Sequence, residues 1–257
     1  MHLSVIIPAY NEEKKLKNTV LKCLEYLNQQ NYSFEIIIVN DGSVDNTLGI
    51  AKKLSTQYKT VKTIDLKINQ GKGATVKAGM LSATSDYRLF LDADYATSID
   101  NLDKAWVEFE KNCDIVIASR NSKDATETKV EISQSIWKQA LGKTGNILVR
   151  TLTGLPYHDT QCGFKIFTAE STQSIFSKLK TTRWAFDIEA LLIAQKYNYK
   201  IKAIPVTWKN AKNSRVGLWG YFTTLKELIL IKIFFCHPGI FSVAKRKKKY
   251  PGSRIEQ

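Results

Sequence analysis

Tyr87-Arg88-Leu89-Phe90-Leu91-Asp92-Ala93-Asp94 is an apolar run that ends on two carboxylates spaced one residue apart. Alternate side chains of a strand share a face, so Asp92 and Asp94 converge at the strand's carboxyl end. Open α/β sheets bind their ligands at that end. Two hard oxygen ligands with positions left open suit Mg²⁺ or Mn²⁺, held jointly with the phosphates of a substrate. Asp-x-Asp alone also describes a solvated loop, so the surrounding chain has to decide.

Outward from residue 87 the pattern is regular. Leu3–Pro8, Phe34–Asn40, Val61–Leu66, Asp86–Leu91 and Asp114–Ser119 are short, nearly continuous apolar runs. Between them lie helical spacings: Glu12–Gln29 (with Leu16, Val20, Cys23, Leu24 and Leu27 on one face), Asp45–Tyr58, Lys72–Thr84 and Ile99–Lys111. Such alternation predicts a mostly parallel, doubly wound sheet covered by helices on both faces. Residues 121–135 break the pattern; polar and rich in Ser, Thr, Lys and Glu, they read as a mobile loop. Further on come a helix over Ile136–Leu152, a strand over Cys162–Phe167, a helix over Phe186–Tyr197, a strand over Lys200–Val206 and an apolar segment over Leu218–Phe235. Residues 1–211 are expected to form the main domain, and residues 212–257 a C-terminal amphipathic helix and a basic tail.

Composition sets limits. The chain has 257 residues, 44% of them hydrophobic, and a net charge of +14. That length supports a full core. The basic excess, concentrated at Lys245-Arg246-Lys247-Lys248-Lys249, points to anionic partners or to plain solubility. Cys23, Cys113, Cys162 and Cys236 are scattered without a C-x-x-C pair and read as reduced thiols of a cytosol-facing protein. Met1–Pro8 lacks a basic start and reads directly as a strand, so no signal peptide is expected. Lys226, Glu227 and Lys232 interrupt Leu218–Phe235, so it is not expected to span a bilayer.

A polar cluster follows each strand. The first is Pro8-Ala9-Tyr10-Asn11-Glu12-Glu13: Ala9 permits close backbone approach, Tyr10 offers a stacking face and Glu12 a carboxylate. Helix capping by Asn11 or Glu12 explains part of it equally well. The second is Asn40-Asp41-Gly42-Ser43-Val44-Asp45-Asn46-Thr47. Asp41 can accept hydrogen bonds from a ribose or a base edge, Gly42 allows a tight turn and Asp45 caps the next helix; turn chemistry alone also accounts for Gly42-Ser43. The third, Asn69-Gln70-Gly71-Lys72-Gly73, places glycines and a cation before a helix N-terminus, as anion binding requires. Neither a G-x-x-x-x-G-K-[ST] loop nor a G-x-G-x-x-G turn after the first strand is present, so these two nucleotide-binding signatures are excluded.

Ser4–Glu13, Val39–Thr47, Asn69–Gly73 and Leu91–Asp94, taken in order, resemble the nucleotide-sugar domain of glycosyltransferase family 2, with its GT-A fold. Asp159–Lys165 and Arg183–Glu189 are similar to the dolichyl-phosphate β-glucosyltransferases and their bacterial polyprenyl-phosphate relatives. The resemblance spans about residues 3–210. It implies inverting transfer of a hexose, with UDP-glucose the implied donor, to a polyprenyl or dolichyl monophosphate. It further implies that Pro8, Ala9, Tyr10, Glu12, Asp41 and Ser43 hold the nucleoside, with Lys72, Asp92 and Ala93 also on the donor side. By the same resemblance, Asp92 and Asp94 are expected to hold Mg²⁺ or Mn²⁺. Relatives often carry a third ligand two residues after the second Asp; here that position is Ala96, which leaves it to water or another group. Arg120, Gln161 and Lys165 face the acceptor, and Asp187 stands where inverting relatives often carry a base.

The chemistry is consistent. A phosphate monoester is largely dianionic at neutral pH, so the nucleophile needs no strong base. Asp187 then serves as a base, as a positioning group or as a helix N-cap, and Trp184 as a sugar contact or as core; these readings stay open. The basic, apolar helix at 136–152, the segment Leu218–Phe235 and the Lys/Arg cluster suit peripheral association with the cytoplasmic face of an anionic membrane. A buried helix and a solubilising tail are the plainer alternatives. Two other functions remain to be weighed. A family 2 enzyme with a soluble saccharide or protein acceptor is disfavoured because the acidic base motif of those relatives is missing. A basic nucleic-acid-binding protein is disfavoured because no binding motif or interleaved aromatic and basic face is present.

Overall fold

A computed structural model of the chain describes residues 2–126, 128–130, 136–208 and 218–236. β1 (His2–Ala9), β2 (Ser33–Asn40), β3 (Val61–Asp65), β4 (Tyr87–Leu91) and β5 (Ile115–Ser119) lie close to their expected places. They alternate with α1 (Leu16–Leu27), α2 (Thr47–Gln57), α3 (Lys72–Ser82) and α4 (Leu102–Glu110), the last preceded by a 3₁₀ turn at Ile99–Asn101. Then follow β6 (Lys129–Val130), α5 (Ile136–Thr153), β7 (Phe164–Thr168), α6 (Ala169–Phe176), α7 (Phe186–Lys196), β8 (Ile201–Pro205), β9 (Thr207–Trp208) and α8 (Leu218–Cys236).

Seven strands form one sheet in the order β3-β2-β1-β4-β7-β5-β8. Six run parallel; the inner ones are apolar and buried on both faces, while the edge strands β3 and β8 are only partly buried. The seventh, β7, is antiparallel to both β4 and β5, with Leu91 opposite Phe164 and Ile117 opposite Lys165. Its apolar pattern has the same period in either direction, so spacing does not reveal its orientation. Leu3, Val5, Ile7 and Ala9 of β1 join α1, α2 and α4 in one core layer. Ile6 points to the other, which collects α3, α6, α7 and, from α8, Leu228 and Ile231.

Part of the stretch 121–135, expected to be a mobile loop, is held. Asp124 accepts the His158 and Asp159 N–H groups at 2.7 and 2.8 Å and the Ser119 hydroxyl at 2.8 Å. β6 pairs with β9 in a small parallel sheet. Residues 131–135, the 211/212 boundary and the tail 237–257 lie outside the described residues. Cys23, Cys113 and Cys162 are free thiols.

Candidate active site

The loops that follow β1, β2 and β3 are stitched together. Asn11 adopts a positive φ of 53°. Its N–H donates to the Ser43 hydroxyl at 2.9 Å, and its side-chain oxygen accepts the Val44 N–H at 2.9 Å. Glu12 N–H donates to Thr47 Oγ1 at 2.7 Å and Glu13 N–H to Asp45 at 3.2 Å, while Asp45 also accepts the Thr47 N–H at 3.0 Å. Neither Asn11 nor Glu12 caps α1, whose N-cap is Lys15. Pro8 and Ala9 are buried at the end of β1, and Tyr10 is 40% exposed above them.

Asp41, expected at the ribose or base, uses its carboxylate internally. Gln70 N–H, Gly71 N–H and Asn69 Nδ2 donate to it at 2.7, 3.0 and 3.0 Å. It therefore fixes the turn before α3. Gly71 is required there twice over: its φ is +100°, and a Cβ would stand 2.6 Å from the Thr182 carbonyl oxygen. The start of α3 offers less to an anion than its sequence suggests. Gly73 and Ala74 N–H donate to the carbonyls of Arg183 and Thr182 at 3.1 and 3.0 Å. What remains is the Lys72 ammonium, 2.7 Å from Asp92.

Asp92 and Asp94 lie just beyond β4, with the Ala93 carbonyl between them held by the Thr19 hydroxyl at 2.6 Å. Lys72 pairs with Asp92. Burial opposes the Lys72 charge, but Asp92 and Asp187 outweigh it and hold its pKa above the usual lysine value. Asp94 is different. Among the described residues it has no ion pair, and its Oδ1 accepts only the Ala96 N–H at 3.1 Å. Burial, then the neighbouring Asp92 charge, push its pKa up. A cation relieves that excess of negative charge, and the oxygen-only donor set suits a hard divalent ion. Among the described residues no group of three His, Cys, Asp or Glu could hold a metal.

Two ion pairs flank this carboxylate pair, the first part-exposed and the second buried. Arg120, just past β5, grips Asp159 with Nε at 2.7 Å and Nη2 at 2.8 Å, and its own N–H adds a third bond at 2.8 Å. Burial works against both charges; the partner wins in each case, raising the Arg120 pKa and lowering that of Asp159. Lys165, on the antiparallel β7, is 1% exposed. It donates to Asp187 at 2.5 Å and to the Cys162 carbonyl at 2.7 Å. Burial holds the Asp187 carboxyl above the usual range despite Lys165 and Lys72. Asp187 does not cap α7, whose N-cap is Ala185.

Gln161 Nε2 donates to the Trp184 carbonyl at 3.0 Å, and the half-buried Trp184 ring lies 5.9 Å from the Lys72 ammonium. Sequence reasoning passed over Gly163. Its carbonyl accepts the Asp92 N–H at 3.1 Å, and a Cβ there would fall 1.9 Å from Asp92 Oδ2. It sits inside the quoted Asp159–Lys165 motif, the one signal that could have found it.

The family model for glycosyl transferase family 2 matches residues 4–176. The chain belongs to glycosyl transferase family 2. It is 34% identical to human dolichyl-phosphate beta-glucosyltransferase over 90% of this chain and 75% of that one. The enzyme of the same name from Drosophila melanogaster is 33% identical over 97% and 79%. Among solved structures, the M. tuberculosis glucosyl-3-phosphoglycerate synthase complex with Mn²⁺, UDP-glucose and phosphoglyceric acid superposes with a TM-score of 0.64 at 13% identity, over 90% and 79% of the two chains. S. aureus TarS with UDP-GlcNAc gives 0.56 at 17%, over 90% and 66%. These likenesses bear out the GT-A fold of this family 2 member.

Proposed function

We propose that this protein transfers glucose from UDP-glucose to a dolichyl or related polyprenyl monophosphate, with inversion, at the cytoplasmic surface of a membrane. The observation that carries it is Asp94, which has no ion pair among the described residues, beside the Lys72-bound Asp92 at the tip of β4, in a chain whose relatives bear the dolichyl-phosphate beta-glucosyltransferase name. Asp92 and Asp94 would hold Mg²⁺ or Mn²⁺, and such an ion supplies charge neutralisation to the departing diphosphate.

The remaining work falls to the chain itself. Tyr10, with Pro8, Ala9, Glu12 and Ser43, forms the nucleoside wall, and Asp41 keeps its rim rigid. Lys72 stands beside Asp92 to meet the donor's phosphates. Asp159 presents Arg120 to the acceptor phosphate, with Gln161 on the same side. The dianionic phosphate attacks without help from a strong base. Asp187, 3% exposed and committed to Lys165, acts by fixing the floor of the site. Membrane seating falls to the segment after 211: α8 exposes Leu225, Ile229, Leu230 and Ile233, and α5 exposes Ile147 and Leu148. Among the described residues, no helix is long and apolar enough to cross a membrane.

The test is a donor screen. Purified full-length protein is given UDP-, GDP- and TDP-sugars, a polyprenyl phosphate, and Mg²⁺ or Mn²⁺. Product from UDP-glucose alone, lost in EDTA, is the expected result. Full turnover in EDTA, or transfer only to soluble saccharides, refutes it.

A further inference from the structure

Glu227 is an acid set in an apolar helix. Its α8 neighbours Leu228 and Ile231 are buried, while Leu225, Ile229 and Ile233 face outward, so α8 is apolar on both sides. The Glu227 carboxylate reaches away from its own helix and accepts the N–H groups of Arg183 and Ala185 at 3.0 and 2.9 Å. These donors stand at the start of α7, where N–H groups lack intrahelical partners and a negative charge is favoured.

That turn is the hub of the site's far wall. Its other side is tied to α3 through the carbonyls of Thr182 and Arg183. Its middle residue, Trp184, places a ring near Lys72 and a carbonyl on Gln161. It leads directly into Asp187, the partner of Lys165. One carboxylate thus connects the helix with the exposed apolar face to the residues that flank the donor and acceptor.

We propose that Glu227 is a positioning residue that ties the seating of α8 on a lipid surface to the placement of Trp184 and the start of α7. The proposal rests on the membrane reading above. Three measurements separate the two. Full-length wild type, Glu227→Ala and Glu227→Gln are mixed with vesicles of phosphatidylcholine and phosphatidylserine in equal parts. Flotation reports seating. The Trp184 emission, taken by subtracting the spectrum of Trp184→Phe, reports the turn. Turnover of UDP-glucose with a short water-soluble polyprenyl phosphate reports the site.

In wild type, vesicles shift the Trp184 emission and lower the acceptor KM by about tenfold, the scale of one hydrogen bond to a charged group, with kcat little changed. Glu227→Ala floats equally but shows neither effect. Glu227→Gln keeps the length and one acceptor oxygen and shows part of each, so the proposal stays open to refutation even if the alanine variant misfolds. A residue that only stabilised the fold would lower Tm and leave the vesicle effects intact. Glu227→Ala that floats and keeps the full shift and KM change overturns the proposal alone. Wild type that does not float overturns the membrane reading and the proposal with it.

Discussion

Gly163→Ala puts one methyl group into the site from outside the residues that touch ligands. The new Cβ would stand 1.9 Å from Asp92 Oδ2, 2.2 Å from Cγ and 2.8 Å from Oδ1. Ordinary contact begins near 3.4 Å, so the carboxylate must retreat by the difference, about 1.5 Å. The strands cannot absorb this, because Asp92 N–H is bonded to the Gly163 carbonyl itself at 3.1 Å. The side chain turns instead and leaves Lys72, now 2.7 Å away. A 1 Å misplacement at a reacting centre costs roughly 100-fold in rate. Stability responds differently. Gly163 is not among the positive-φ glycines, so alanine gains about 0.4–1 kcal/mol by restricting the unfolded chain. Loss of the part-exposed ion pair costs about 0–1 kcal/mol. The two nearly cancel, and Tm should move by no more than about 4 °C. Turnover should fall about 100-fold. Calorimetry of UDP binding should show the Mn²⁺-dependent part of the affinity lost and the metal-free part kept. Wild-type turnover with unchanged Mn²⁺ dependence would refute the placement of Asp92 at the metal.

Asp159→Ala removes three hydrogen bonds to a charged group that is itself part-exposed and should cost about 2 kcal/mol, seen as a Tm drop of about 4–8 °C; an unchanged Tm contradicts a built-in pair. Lys165→Met leaves Asp187 buried without a cation and should cost about 3–5 kcal/mol, which the double variant with Asp187→Leu largely recovers. Denaturant midpoints for the two single variants and the double check this, and equal losses in the Lys165→Met and double variants oppose it. Asp94 has a raised folded pKa, so its contribution to stability is present below the usual carboxylate range and is lost as pH rises through the folded value. Without divalent ions, Asp94→Asn should therefore melt above wild type at neutral pH and level with it in acid; a pH-independent difference contradicts this.

The sheet was legible where periodicity is informative. Val5–Ile7 and Ile36–Val39 can be little but buried strands, and Leu16, Val20 and Leu27 mark the inner face of α1. The direction of β7 was not legible, nor was the short α6, because neither leaves a period of its own. Around the end of β4, Asp92, Asp94 and Lys72 could be singled out by type and by position after strands, and Arg120 through the family resemblance. Their commitments could not. Arg120 and Asp159 are 39 residues apart, and Lys165 and Asp187 are 22 apart, so only the folded chain reveals that each charge already has a partner. Asp41 is alike: the sequence places a carboxylate at a strand end, but only the folded chain shows the three internal donors it accepts.

The placement of β7 also sets the order in which the molecule can assemble. β1, β2 and β3 pair through successive βαβ units, whereas β4 closes on β1 from far along the chain, with Tyr87 opposite Leu3, a non-local pairing that forms more slowly. β7 belongs between β4 and β5, yet both precede it in the chain. During synthesis β4 therefore waits with a bare edge until residues 164–168 arrive. An unpaired apolar edge is a template for other chains. A nascent chain halted before Thr168 is thus the species most in need of a chaperone, and Lys165 takes its place under the carboxylates only in the step that closes the sheet.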